Sequence, residues 1–468
     1  MTPLLDIRLD RAASTTLAEQ IRLGVLAAIE SGALAPGARL PSWLTLAAQL
    51  GVARGTVKSA YERLADEQVV VSAGSGGTRV AKQAVRAGSG IPSETLEATP
   101  SQYAHLLAPP TMFQMGVPSS DRFPVGLLGR LRAHAVRAET AARAVYPDPR
   151  GELALKREIA AHLALARGFD CRPSQVFIMA GFTGALGHVL RLLEVEGGTA
   201  WMEDPGFFQS RRALELARVT PVPVPVDDDG MDIAHGIAHA PDADVVLVTP
   251  GQQAPLGGTL SLQRRMDLIG WAARRGAWIV EDDYLGELQL KRRAAPALAS
   301  LDGFGRVVHI GSFSKTVSPS LRLGFVVVPP ALVERFNELV LCLGSSPGPA
   351  VQHAIADFMR EGHYMRHLRR MKRIYAERGE LVRATLEGLG YEVRIGGLGV
   401  LLRLPDGAPD VAMAQEARGL GLGPEPLSRW FDPQSQADRG LLLGVATADE
   451  TRIPDACRTL HDLIAKHL

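Results

Sequence analysis

The tightest constraint on the fold of this chain is one stretch, Ser312-Phe313-Ser314-Lys315-Thr316-Val317-Ser318-Pro319-Ser320-Leu321-Arg322-Leu323-Gly324, set between two apolar, strand-like runs. A lysine among small hydroxyl residues, with an arginine seven positions on, is the layout of a lysine held for imine formation. Such a lysine must be deprotonated in a desolvated site, and a nearby guanidinium fork suits the phosphate of a phosphorylated aldehyde. The cofactor implied is pyridoxal 5'-phosphate, with Lys315 as the Schiff-base lysine and Arg322, Ser312 and Ser314 as further contacts. Taken alone, Ser-x-Ser-Lys also fits a solvated loop, so the accompanying segments carry the argument.

Trp278-Ile279-Val280-Glu281-Asp282-Asp283-Tyr284 reads as a short buried strand that ends in carboxylates and a tyrosine. Gln175 to Leu186 is an apolar run that breaks at glycine and opens an amphipathic stretch. There the backbone N–H groups of Gly181, Phe182 and Thr183 would face an anion at a helix N-terminus. Glu203-Asp204-Pro205-Gly206-Phe207-Phe208, Thr249-Pro250-Gly251-Gln252-Gln253-Ala254-Pro255-Leu256-Gly257 and Tyr146-Pro147-Asp148-Pro149-Arg150-Gly151 complete the set. In this order and spacing the segments resemble the fold-type I aminotransferases over roughly residues 113 to 468. The resemblance implies that Asp282 pairs with the pyridine nitrogen and Tyr284 with the ring oxygen, so that the ring acts as an electron sink. It also implies that Phe207 stacks on the ring, Gln253 contacts the ring oxygen, and Tyr146 reaches the phosphate of a neighbouring subunit. The residues themselves leave other readings open. Three acids in a row fit a turn capping a strand, with Glu281, Asp282 and Asp283 all candidates, and Phe207 and Phe208 fit core packing. The closest members of that family usually have tyrosine where Phe207 stands, and often histidine at Gln252.

The front of the chain follows a different pattern. Leu17, Ile21, Val25 and Ala28 recur at helical spacing, and a turn at Gly32 to Ser42 follows. Trp43 to Leu50 is predicted as a second helix with Ser42 as N-cap and Gly51 as its close, and Thr56 to Leu64 as a third. Two helices joined by a tight glycine turn read as helix-turn-helix. Val69 to Ser72 and Thr78 to Ala81 flank Ala73-Gly74-Ser75-Gly76-Gly77, a hairpin with a glycine tip that would serve as a wing. Leu34-Ala35-Pro36-Gly37-Ala38-Arg39-Leu40-Pro41-Ser42 and Leu50-Gly51-Val52-Ala53-Arg54-Gly55-Thr56-Val57 resemble the GntR winged-helix family. Arg39, Ser42, Arg54, Thr56, Lys58 and Arg79 are the candidate contacts to double-stranded DNA, through phosphates and base edges. Leu44 occupies a place where that family usually has an arginine.

Length and composition agree with several units. At 468 residues with 46% hydrophobic content the chain exceeds a single domain. The division expected is a winged helix-turn-helix at 14–81, a linker at 82–110 rich in glycine and proline, and an α/β aminotransferase-like body at 111–468. The body should hold mostly parallel strands from about 160 to 335 and a smaller α/β domain after about 350. Whole-chain charge is balanced, 51 basic against 50 acidic residues. Residues 1 to 86 carry ten Lys or Arg and seven Asp or Glu, a net +3 compatible with DNA binding. Cys171, Cys342 and Cys457 are too widely spaced for a metal site or a disulfide framework. With no apolar leader and no run of about twenty apolar residues, a cytoplasmic protein without membrane insertion is expected.

A GntR-type head on an aminotransferase-like body resembles the MocR group of bacterial regulators along nearly the full length. That resemblance implies a homodimer that controls transcription, its body sensing pyridoxal phosphate and often a small amino compound. The competing reading is a working transaminase with an accessory DNA-binding head. One residue separates them: transaminases of this fold usually clamp the substrate carboxylate with an arginine in a C-terminal strand, and Leu442 stands there. Arg211 or Arg212 would be the substitute anion contact from another side.

Overall fold

The computed structural model describes residues 7–11, 13, 15–72, 77–81, 109–142, 145–290, 295–344 and 346–468. The expected wing tip at 73–76 and most of the linker, 82–108, lie outside the described residues. Two compact units result, Met1–Ala108 and Pro109–Leu468.

In the first unit, helices α1 (Leu17–Glu30), α2 (Trp43–Leu50) and α3 (Arg54–Asp66) precede the antiparallel pair β1 (Val70–Ser72) and β2 (Thr78–Val80). Ser42 caps α2, its Oγ accepting the Thr45 N–H at 3.0 Å, and Gly51 closes it in the left-handed region at φ 63°. The third helix starts at Arg54, two residues before the sequence-based expectation, because its cap Ala53 offers no side-chain acceptor to mark the start. Ile21, Val25, Leu40, Leu46, Val57, Leu64 and Val80 form one core. Tyr61 ties α3 to the turn before α2 by donating to the Pro41 carbonyl at 3.0 Å.

The second unit begins with α4 (Val125–Ala141) and α5 (Leu153–Arg167), then β3 (Val176–Met179), α6 (Gly181–Leu193), β4 (Thr199–Asp204) and α7 (Phe208–Leu216). Next come β5 (Thr220–Asp227), β6 (Gly230–Met231), α8 (Ile233–His239), β7 (Val245–Val248), α9 (Leu262–Arg275), β8 (Trp278–Asp283), β9 (Val307–Ser312) and β10 (Gly324–Val327). Helices α10 (Val333–Leu343), α11 (Pro349–Arg360) and α12 (His363–Gly388) lead to β11 (Val393–Gly396), β12 (Gly399–Arg403), α13 (Asp410–Gly419), β13 (Glu425–Pro426), β14 (Gly440–Gly444) and α14 (Ile453–His467).

Strands β3 to β10 form one eight-stranded sheet in the order β3-β10-β9-β8-β7-β4-β5-β6. The contiguous run β9-β8-β7-β4-β5 is parallel, and β10 runs against both β9 and β3. Central strands such as Val245–Val248 are buried throughout, which is why they read as unbroken apolar runs rather than alternating ones. Strands β11 to β14 form a separate antiparallel sheet, β11-β12-β14-β13. Helix α12 buries Leu368, Met371, Tyr375, Val382 and Leu386 at helical spacing, against the cluster that also holds β12 and β14. Among the described residues no helix is long and apolar enough to cross a membrane, and no side-chain group could hold a metal ion.

Candidate functional site

Because β9, β8, β7 and β4 are parallel neighbours, their carboxyl ends share one edge of the sheet, the edge where open α/β sheets bind ligands. Lys315 follows β9, Asp282 is the penultimate residue of β8, Thr249 and Gln253 follow β7, and Glu203 to Phe207 run across the end of β4. Strand β3 shares their direction, since it and β9 both run against β10, so α6 opens on the same edge.

Lys315 is half-buried, and its Nζ donates to the Gly116 carbonyl. Burial pulls its pKa down, partly offset by the charge of Asp282. Gly116 sits at φ 79°, and a Cβ there would press on Nζ at 3.2 Å, so the approach needs glycine. The lysine loop is fixed from α12: Tyr364 donates to Thr316 Oγ1 at 3.2 Å, and His367 lies 2.9 Å from the Thr316 carbonyl. Ser312 Oγ accepts the Ser314 N–H at 3.1 Å, which shapes the turn before the lysine.

The three consecutive acids have three different environments. Glu281 accepts the N–H groups of Leu298 and Ala299 at 2.7 and 3.0 Å and faces His309 Nδ1 at 3.0 Å. Asp283 takes the Arg167 fork, Nε to Oδ2 at 2.9 Å and Nη2 to Oδ1 at 3.1 Å. Asp282 lies between them, 7% exposed, and its Oδ1 is buried without a hydrogen-bond partner among the described residues. Burial first, then the charges of Asp283 and Glu203, push its carboxyl well above the ordinary range despite Lys315. Two acids are therefore paired with protein cations, and Asp282 Oδ1 has no such partner among the described residues.

Burial also raises two other acidic groups near Asp282. Burial raises Glu203 to about 7, although it accepts from Thr249 Oγ1. Burial, Asp282 and Glu203 all raise the Tyr284 hydroxyl, so it stays a proton donor at neutral pH. At the far side, Gly181 opens α6 at φ 76°, and Arg322 stands over that N-terminus, donating to the Ala180 carbonyl at 3.2 Å and to Thr183 Oγ1 at 3.3 Å. A Cβ on Gly181 would reach the guanidinium at 3.7 Å. Phe207 joins an aromatic row, its ring 6.4 Å from Phe182 and 5.8 Å from Trp430.

Some expected residues are engaged elsewhere. Gln253 donates to the carbonyls of Pro205 and Ala254 and accepts the Leu256 N–H, so its amide holds the loop, whereas the buried Gln252 keeps both amide atoms without hydrogen-bond partners among the described residues. Arg211 and Arg212 are not free anion contacts. Arg211 binds the Phe431 carbonyl and lies 3.4 Å from Asp432 and 3.7 Å from Asp204, while Arg212 pairs with Glu215 at 2.7 Å. Tyr146 is fully exposed and stands apart from the residues gathered at Lys315. Glu203, His309, Arg167, Gly116 and Trp430 were not singled out for roles from sequence. Only Glu203 sat within a marked segment; the others come from segments that carry no motif.

In the first unit Arg39, Ser42, Arg54, Lys58 and Arg79 are exposed and Thr56 is half-buried. Arg39 and Arg79 pair across an isolated bridge beside β2, and Arg54 and Lys58 lie one turn apart on α3. Lys58 is also 3.7 Å from Glu62, and Ser42 Oγ is engaged in capping α2. Leu44 is 45% exposed.

Residues 122–416 match the family described as aminotransferase class I and II, and residues 17–80 match the gntR family of bacterial regulatory proteins. The probable rhizopine catabolism regulatory protein MocR of Rhizobium meliloti is 34% identical, over 97% of this chain and 94% of its own. The HTH-type pyridoxine biosynthesis transcriptional regulator PdxR of Corynebacterium glutamicum is 30% identical over 96% of each chain. Among solved structures, an archaeal alanine:glyoxylate aminotransferase superposes with a TM-score of 0.71 at 21% identity, covering 78% of this chain and 94% of that one. A kynurenine aminotransferase of Pyrococcus horikoshii gives 0.70 at 22% identity, with 80% and 97% covered, a likeness of fold. With a GntR-type head and a class I and II aminotransferase body matched along nearly its whole length, the chain belongs to the MocR type of HTH transcriptional regulators.

Proposed function

We propose that this protein is a transcriptional regulator that binds double-stranded DNA through residues 14–81 and holds pyridoxal 5'-phosphate in the body, residues 111–468, as a sensor. The observation that carries the cofactor reading is the unpartnered Asp282 Oδ1, a buried acid flanked by two acids that already have cations. A protonated pyridine nitrogen supplies the missing cation. Arg322, Thr183 and the backbone of Gly181 and Phe182 at the α6 N-terminus would hold the phosphate, with Ser312 and Ser314 at the lysine turn. Phe207 offers its ring face, Tyr284 a hydroxyl donor, and Lys315 an amine whose proton affinity is lowered by burial. When bound, the cofactor supplies an aldehyde carbon that condenses with Lys315 or with an incoming amine, backed by the ring as electron sink.

A regulator rather than a working transaminase is favoured by Leu442, which is 1% exposed at the position where the family's enzymes carry the carboxylate arginine. A homodimer fits the exposure of Tyr146 and Val145, at 102% and 78%, on a loop that in the family reaches a neighbour's phosphate. Both the amino effector and the dimer act through a closure equilibrium that ligand and DNA bias together. The test is visible absorbance of the purified protein with pyridoxal phosphate. A band above 400 nm that is absent in Lys315→Ala supports the reading; an identical spectrum in that variant overturns it.

A further inference from the structure

Resting on the cofactor reading above, we infer that the body's effector is a primary amine with an apolar frame and no carboxylate on the amine-bearing carbon. Leu442 does more than leave an arginine out. It packs with Leu401 and Leu427 into a small apolar cluster whose partly buried rim is Met115, Leu256, Trp430 and Phe431. This cluster is joined to the chemistry at two points. Met115 precedes Gly116, whose carbonyl accepts from Lys315 Nζ, and Trp430 lies against Phe207 with ring centres 5.8 Å apart. The wall that Leu442 forms with Leu401 and Leu427 is therefore apolar, and Glu425 stands opposite Leu442 on β13.

Three of the guanidinium groups near that wall have other partners, and Arg418 lies 3.6 Å from Glu425, its buried Nη2 making no hydrogen bond among the described residues. Arg211 is engaged with Asp204, Asp432 and the Phe431 carbonyl. Arg378 is engaged with Asp121, Glu450 and the Ala446 carbonyl, and Arg439 lies 3.6 Å from Asp410. Arg429, beside Trp430, is the half-buried exception, and the experiment addresses it directly. A neutral side chain is also unpartnered among the described residues: Gln252, 3% exposed, packs on the Gly396–Gly399 turn, which Met115 also touches. An amide with a free donor and a free acceptor suits a hydroxyl or carbonyl group and gives a carboxylate no counter-charge. A carboxylate placed on this wall loses its water without gaining a cation, whereas an alkyl or aryl frame gains from leaving water.

The step itself is an exchange. With the cofactor bound, an incoming amine would replace Lys315 on its aldehyde carbon, one C=N bond made as the other is broken. The two protons of the amine nitrogen would pass to Lys315 Nζ, with no oxidant or reductant needed.

The experiment titrates the full-length protein, loaded with pyridoxal phosphate, with matched pairs: 2-phenylethylamine against phenylalanine, and n-pentylamine against norleucine. The visible spectrum is followed, and concentrations are expressed as unprotonated amine. The inference predicts half-maximal change at least tenfold lower for each amine than for its amino acid, and the same preference in Arg429→Gln. Equal or tighter response to the amino acids overturns it, and loss of their response in Arg429→Gln would identify the residue that holds the carboxylate. A protein with no visible band before titration instead sinks the cofactor reading on which the inference rests.

Discussion

Asp282 and Asp283 are neighbours, 7% and 8% exposed, yet removing their charges should have opposite effects on the cofactor-free protein. Asp283→Asn leaves Arg167, whose side chain has no exposed surface, without its carboxylate counter-charge. Breaking a buried pair of this kind costs about 3–5 kcal/mol. Asp282→Asn removes no hydrogen bond at Oδ1, because none is made there among the described residues, and it removes the cost of ionising a carboxyl beside Asp283 and Glu203. The expected change is within about 1 kcal/mol or a gain, the scale of one net hydrogen bond. The pH dependence has a definite sign. With its carboxyl held above the ordinary range, native Asp282 keeps a proton that the unfolded chain releases, so its contribution erodes stability as pH rises from about 4. The benefit of Asp282→Asn should therefore grow with pH above the ordinary aspartate range and vanish below it. Urea unfolding of the three cofactor-free proteins at pH 4, 6 and 8 reads this directly. A loss in Asp282→Asn as large as that in Asp283→Asn would refute the partition of charge described here.

Three further outcomes are expected. Asp282→Asn, neutral for stability, should weaken pyridoxal phosphate binding about 10- to 100-fold in an absorbance titration, the scale of exchanging a charge-assisted bond for a neutral one. Arg322→Ala should lower cofactor affinity by a similar factor while leaving the absorption maximum in place, because it removes a phosphate contact and leaves Asp282 and Lys315 intact; a shifted maximum would contradict that division. Arg54→Ala and Lys58→Ala should each flatten the slope of log K against log salt for DNA by about 0.9 if each neutralises one phosphate. An unchanged slope in a filter-binding series would remove them from the DNA contact.

What was legible in the sequence follows from how local each signal is. Ser42 and Gly51 mark the ends of α2 by backbone chemistry that acts within four residues, and both were readable. Lys315 and Arg322 lie on one loop between two strands, so their roles were open to reading together. The choice among Glu281, Asp282 and Asp283 was not, because it depends on His309 and Arg167, 28 and 116 residues away along the chain from their partners. Gly116 belongs to the same class, its carbonyl meeting a lysine 199 residues on. The engagement of Gln253 with the Pro205 carbonyl, and of Arg211 with the 430–432 segment, likewise emerges only when distant backbone groups are brought together.

The measurement that tests the central claim is binding of the full-length protein to DNA from upstream of its own coding region, with and without pyridoxal phosphate, against an unrelated fragment at one salt concentration. A preference for the upstream DNA that changes when the cofactor is added is what a cofactor-sensing regulator requires. Equal affinity for both fragments, in both states, would contradict it and turn attention to the body as an enzyme.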